Sequence, residues 1–200
     1  MGFVVDGAPR KAHLTVLSGP SGTGKGSVIN AAVKFAAGQD VPLWLSVSDS
    51  TRQPRQGEVD GVDYNFITNE EHARRAKEGY YLEYASYVGS KYGTPAITVI
   101  EKLEAGIAVL LEIDMIGARD AQQVSRNSFG LEVLRVFLSV PTMNDLERQL
   151  IGRGTETAET IQKRMKRAEI EMASANECDV IIINRSIADS ARTLLALLSR

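Results

Sequence analysis

Lys25 closes the run Gly19-Pro20-Ser21-Gly22-Thr23-Gly24-Lys25, the G-x-x-x-x-G-K spacing that cradles nucleotide phosphates. Its three glycines let the backbone wrap an anion with N–H groups pointing inward, and Lys25 supplies a mobile charge for the outer phosphates. Where a Mg²⁺-binding Ser or Thr usually follows the lysine, this chain has Gly26, and the hydroxyl comes one residue later at Ser27. Because Mg²⁺ keeps several waters, Ser27 is the expected support for the metal. A second cationic pair, Arg52 and Arg55, lies three residues apart in the polar segment Ser48–Glu58 and suits the clamping of another phosphate. Glu83 stands in an aromatic, alternating stretch where a buried, unpaired carboxylate would be costly. Glu112 and Asp114 end an apolar run. His13 and His72 have no metal-ligand spacing and are read as structural.

The elements that must hold these groups alternate. A short buried strand over 13–18 precedes the glycine-rich loop, and a helix over 27–37 follows it, with apolar residues at helical spacing and Gly38 as its stop. Residues 41–47 read as a second strand and 48–58 as a loop. A short strand over 64–67, a helix capped by Thr68, and an alternating strand over 80–88 follow. Thr94-Pro95 predicts a fresh helix with proline at its first position. The apolar run 107–114 reads as a central parallel strand whose acids face the phosphate-loop edge. Later come a helix from Met115, a strand over 133–140, and a helix over 141–150. The polar segment 152–157, an amphipathic helix, a strand over 179–183 and a closing helix over 187–198 complete the chain. The class is α/β: a central parallel sheet flanked by helices, a small mixed α+β insert and a short lid.

Two hundred residues suit one domain with small inserts. The expected division is a core of about 12–47, 94–140 and 178–200, an insert of about 48–93 and a lid of about 141–177. A net charge of −2 gives no global basic field, so nucleic acid is not an expected partner. Cys178 stands alone, which suits a reducing cytoplasm, and no apolar run approaches the ~18 residues of a membrane span. No leader pattern is read at the N-terminus. A monomer or homodimer is expected.

Several separate stretches together resemble the guanylate kinases, P-loop nucleoside monophosphate kinases, over about residues 12–199. They are GPSGTGK at 19–25, SVSDSTRQPRQGE at 46–58, YLEYA at 81–85 and KYGT at 91–94. LEIDMIGA at 111–118, GRGTET at 152–157, KRM at 163–165 and VIIIN at 180–184 extend the likeness. The resemblance implies Mg²⁺-dependent transfer of a phosphoryl group from ATP to GMP, and to dGMP, in purine nucleotide metabolism. It implies that Gly19 to Ser27 and Asn184 serve ATP. Arg52, Arg55, Tyr64 and Tyr92 would hold the GMP phosphate, and Glu83, Ser48 and Thr94 the guanine. Asp114 would face the nucleotide, while Arg153 and Arg164 would close over ATP from the lid. Catalysis would then rest on Lys25, Arg52, Arg55, Arg153 and Arg164. The chain departs from the usual family pattern at Gln149 and Arg185. Two other readings stay open: an inactive guanylate-kinase-like module that binds proteins, and a related kinase with another acceptor.

Overall fold

The computed structural model describes residues 14–87, 89–152 and 157–199. Its larger sheet has five parallel strands in the order β2-β7-β1-β8-β9. These are β1 (Leu14–Ser18), β2 (Leu43–Leu45), β7 (Ala108–Glu112), β8 (Val133–Ser139) and β9 (Val180–Ile183). Side chains alternate across β1. Leu17 joins Leu110, Leu138, Val28 of α1 (Lys25–Ala37) and Leu194 of α7 (Ile187–Leu198) on one face. Leu14 and Val16 join Val99 of α3 (Ala96–Glu104) and Ala118 and Ala121 of α4 (Met115–Phe129) on the other. Each fully buried aliphatic side chain contributes about 1.5–3 kcal/mol, so the two apolar layers fix the sheet between its helices. β1 lies between β7 and β8, and the crevice beyond its C-terminal end is where a doubly wound sheet binds ligands.

A second sheet runs in the order β4-β3-β6-β5, with β3 (Asp49–Ser50), β4 (Asn65–Phe66), β5 (Tyr81–Tyr87) and β6 (Ser90–Pro95). β3 and β4 are parallel, and the other pairings are antiparallel. Helix α2 (Asn69–Lys77) packs on it, capped by the Thr68 hydroxyl accepting from the Glu71 N–H as its spacing predicts. Two further helices, α5 (Met143–Gly152) and α6 (Ala158–Ala173), form their own small core around Leu146, Leu150 and Ala168.

Several boundaries differ from the sequence reading. Pro95 is not the first residue of a helix; it ends β6 and caps α3, because 90–95 pair with β5 across the turn at Gly89. β6 carries no apolar alternation, so pairing rather than composition makes it a strand. The segment 48–58 contains β3, a two-residue strand that exists only through its neighbours. The expected strand 41–47 shortens to Leu43–Leu45, since the Val41 N–H bonds back to the Ala36 carbonyl at the end of α1. Gly38 does end α1, but in a right-handed conformation, and Asp40 takes the positive φ of 53°.

Candidate active site

The loop 19–24 is built for close approach. Gly19 has φ 144°, and a Cβ there would stand 2.3 Å from the Leu138 carbonyl oxygen, so only glycine lets the loop leave β1 beside β8. Gly24 caps α1 in the left-handed region with no side chain over the first N–H groups, which leaves the positive end of the helix open to an anion. The Lys25 ammonium donates to the carbonyls of Gly19 (2.6 Å) and Pro20 (3.1 Å), folded back over the loop it serves. The Thr23 hydroxyl is buried and donates to the Pro20 carbonyl, which tightens the turn.

Asn184, expected to serve ATP, braces this loop from behind. Its amide Nδ2 donates to the Thr23 carbonyl at 2.8 Å, and its Oδ1 accepts from the Ser190 hydroxyl of α7. From α6, Arg164 reaches over the loop and donates to the Ser21 hydroxyl at 2.8 Å.

Across a cleft of about 450 Å³ the second sheet presents its own set of groups. Arg52 makes a bidentate pair with Glu58 at 2.6 and 2.7 Å and lies over the rings of Tyr64 and Phe66. The Arg52 guanidinium holds the Glu58 carboxyl down to about 2, helped by the Arg55 N–H. The same pairing, with a contribution from the Tyr92 phenol, raises Arg52. Tyr64 and Tyr92 meet edge to face, and burial raises the Tyr64 phenol. Arg55 is exposed at the mouth.

Deeper in the cleft the Glu83 carboxylate is buried and accepts from the Thr94 hydroxyl at 2.6 Å, and Thr94 Oγ1 lies 3.3 Å from the Ser48 hydroxyl. Burial raises the Glu83 carboxyl above the usual range, opposed by Thr94 and reinforced by Asp114 and Asp120. Asp114 lines the cleft and caps α4, accepting from the N–H groups of Ile116 and Gly117.

Of the residues expected to act, Gly19, Ser21, Lys25, Ser48, Arg52, Arg55, Tyr64, Glu83, Tyr92, Asp114 and Arg164 line one cleft. Thr94 is buried behind Glu83, and Asn184 is buried behind the loop. Gly26 and Ser27 lie exposed on the first turn of α1 and are not among the residues lining the cleft. Arg153 lies outside the described residues. Arg167 and Glu171 also line the cleft without being expected there, and Glu112 lies at the phosphate-loop edge of its strand as expected. Arg167 pairs with Glu171 at 2.7 Å and reaches to 3.7 Å from Asp114, tying α6 to α4. With Arg164 and Ala168, they lie at positions 0, 3, 4 and 7 of one helical face, a spacing that was there to be read. Glu112 opens to water at the cleft mouth yet is hemmed in by protein, and this desolvation raises its carboxyl against the pull of Lys25.

Among the described residues no three His, Cys, Asp or Glu side chains gather into a metal cage. The carboxylate of Glu112, which lines the cleft beside Lys25, is the kind of oxygen donor that suits a hard cation arriving on nucleotide phosphates with most of its waters; the Ser27 hydroxyl lies outside that lining. Among the described residues no helix is long and apolar enough to cross a membrane.

A family model described as guanylate kinase matches residues 11–200. The chain is 45% identical over 185 residues to the guanylate kinase of Frankia casuarinae, covering 92% of this chain and 96% of that protein. It is 45% identical over 192 residues to the guanylate kinase of Streptomyces coelicolor, covering 96% and 91%. The crystal structure of guanylate kinase from Anaplasma phagocytophilum superposes with a TM-score of 0.72 at 28% identity, covering 94% of this chain and 84% of the other. A phosphate loop, an arginine clamp and a buried carboxylate around one cleft thus accompany a match along nearly the whole chain, and the protein belongs to the guanylate kinase family.

Proposed function

We propose that this chain transfers the γ-phosphoryl group of ATP to GMP, and to dGMP, giving ADP and the nucleoside diphosphate. The observation that carries the reading is that Glu83 and Ser48, bridged by the buried Thr94 hydroxyl, line the same cleft as Lys25 and the phosphate loop. Guanine offers a ring N–H and an exocyclic amine side by side, and a buried carboxylate accepts both; adenine lacks that donor pair and would leave Glu83 unsatisfied. The attacking atom is an oxygen of the GMP phosphate, anionic at neutral pH, so no side-chain base is required. That oxygen bonds to the γ-phosphorus as the bond to the β,γ-bridging oxygen breaks, and the electron pair leaves with ADP. Arg52 and Arg55, with Tyr64 and Tyr92, hold the acceptor phosphate in line. Lys25, the loop amides and Arg164 hold the donor phosphates, with Arg153 joining from the lid. Ser27 and Glu112 would support the Mg²⁺ that arrives with ATP, which would supply neutralisation of phosphate charge. Closure of the lid and the insert excludes water, the competing acceptor. The enzyme would work in the cytoplasm as a monomer or homodimer.

A coupled assay with GMP, dGMP, AMP and UMP as acceptors tests the reading. Turnover of the two guanine nucleotides and not of the others is expected; undetectable GDP at saturating ATP, Mg²⁺ and GMP overturns it. An inactive protein-binding module would not need a formed phosphate loop with its lysine, and both are present here.

A further inference from the structure

Asp49 is fully buried, and three elements converge on its carboxylate. Oδ1 accepts from the Asn65 amide of β4 at 3.0 Å. Oδ2 accepts from the Arg75 guanidinium of α2 at 2.6 Å and from the Tyr81 phenol of β5 at 2.7 Å. Arg75 is itself held by Glu71 at 2.6 Å and stacked on Tyr80. Tyr81 belongs to β5 and Asp49 to β3, with β6 between them in the sheet. The phenol crosses β6 at Gly93, the residue paired with Asp49 across β3 and β6, where a Cβ would stand 2.8 Å from the Tyr81 ring. Its ring then lies 5.0 Å from that of His72, which bonds the Tyr92 carbonyl from α2.

Neighbouring residues on a strand point to opposite faces. Asp49 faces α2, so Ser48 faces the cleft; Gly93 lies under Tyr81, so Thr94 lies on the cleft side of the sheet, buried behind Glu83. On β5 the pairing slips by one residue between Tyr81, opposite Pro95, and Glu83, opposite Thr94. This irregularity sends Tyr81 to the Asp49 side and Glu83 to the cleft side although they are two residues apart.

We infer that Asp49 is a positioning residue for acceptor recognition, clamping β3, β4, β5 and α2 so that Ser48, Thr94 and Glu83 on the opposite face stand ready for a guanine ring. β3 and β4 have two residues each and cannot hold that wall by backbone pairing alone. A buried carboxylate with three donors is stiff because every alternative position leaves a charge unpaired. The inference rests on the proposed GMP site, and its test separates the two.

Asp49→Asn keeps the shape and removes the charge shared by Arg75 and Tyr81. Tyr81→Phe is the milder variant and removes one donor. Asp49→Asn should raise the KM for GMP about tenfold, with kcat at saturating GMP and the KM for ATP each changing less than about threefold. Tyr81→Phe should raise the KM for GMP less, and the double variant should match Asp49→Asn alone. In the absence of nucleotide, amide exchange should quicken about tenfold or more at 49–52 and 81–85 in Asp49→Asn and stay unchanged at 14–18. An unchanged KM for GMP in both single variants, or equal rises for GMP and ATP, overturns the inference. If the wild-type protein makes no GDP, the functional reading fails, and the exchange pattern alone decides whether Asp49 clamps the insert.

Discussion

The Glu83 carboxylate lies against the backbone of Gly117: a Cβ at position 117 would stand 2.9 Å from Glu83 Oε2. Gly117 sits in the first turn of α4, where its N–H is held by Asp114, so the backbone stays in place and the Glu83 side chain is the part that must shift. Gly117→Ala should displace the carboxylate and raise the KM for GMP about tenfold or more while leaving the KM for ATP unchanged, as for a misplaced recognition group. Steady-state kinetics with each substrate varied in turn would show it, and unaltered GMP kinetics would refute the packing argument.

Glu83 also predicts a pH signature. An acid whose pKa is raised on folding contributes most to stability below the ordinary carboxylate value, and loses that contribution as pH rises through the raised value. Guanine binding has the opposite sign, because the N–H donors need the ionised form. At neutral pH Glu83→Gln should lower kcat/KM for GMP by on the order of 10²-fold. The ratio of wild type to variant should shrink as pH falls through the raised pKa of Glu83, and taking the ratio cancels the titration of the substrates. A ratio independent of pH would show that the Glu83 charge does not read the base.

Glu58 sets the phosphate clamp through Arg52. Its lowered pKa means that the pair contributes fully above the ordinary value of 4.5 and is lost only as pH falls toward about 2, so at neutral pH the guanidinium is already oriented. Glu58→Gln should raise the KM for GMP by roughly fivefold, since Arg52 then loses its bidentate partner and must be ordered by the substrate. Equal KM values in variant and wild type would mean that Tyr64, Phe66 and Tyr92 suffice to aim Arg52.

Asn184 joins the phosphate loop to α7. Asn184→Ala would orphan the Thr23 carbonyl and the Ser190 hydroxyl, each costing about 1–3 kcal/mol if water does not replace the amide. The melting temperature should fall and the KM for ATP should rise, with the KM for GMP little affected. A loss confined to GMP would contradict this placement.

Gly26 and Ser27 separate backbone from metal effects. A Cβ at Gly26 would meet nothing within 4 Å, and alanine there gains about 0.5–1 kcal/mol of helix stability. Ser27→Ala should raise the Mg²⁺ concentration for half-maximal activity, and Gly26→Ala should do so much less. The reverse order would remove Ser27 from the metal's surroundings.

The sequence by itself determined the elements whose signals are local. The buried runs of β1, β7 and β8 specify the parallel sheet, because apolar strands of that length are covered on both faces, whereas the equally apolar β9 lies at the sheet edge, buries Ile182 and leaves Ile181 and Ile183 exposed. The glycine spacing around Lys25 needs no partner to be recognised, and Thr68 announced α2 through its cap. The chemical types of Arg52, Arg55 and Glu83 were legible for the same reason. Tertiary structure decided what depends on partners far along the chain. β3 and β6 have no periodicity of their own and become strands only by pairing with each other and with β4 and β5. The role of Asn184 as a brace behind the loop required it to meet Thr23, 161 residues away in sequence. The desolvation of Glu112 came from the cleft closing around the end of β7 rather than from its neighbours in the chain. The opposite facing of Tyr81 and Glu83 came from a one-residue slip that alternation alone reads the wrong way. Local patterns record what each segment can bury, and only the assembled fold fixes which polar groups are left facing one another.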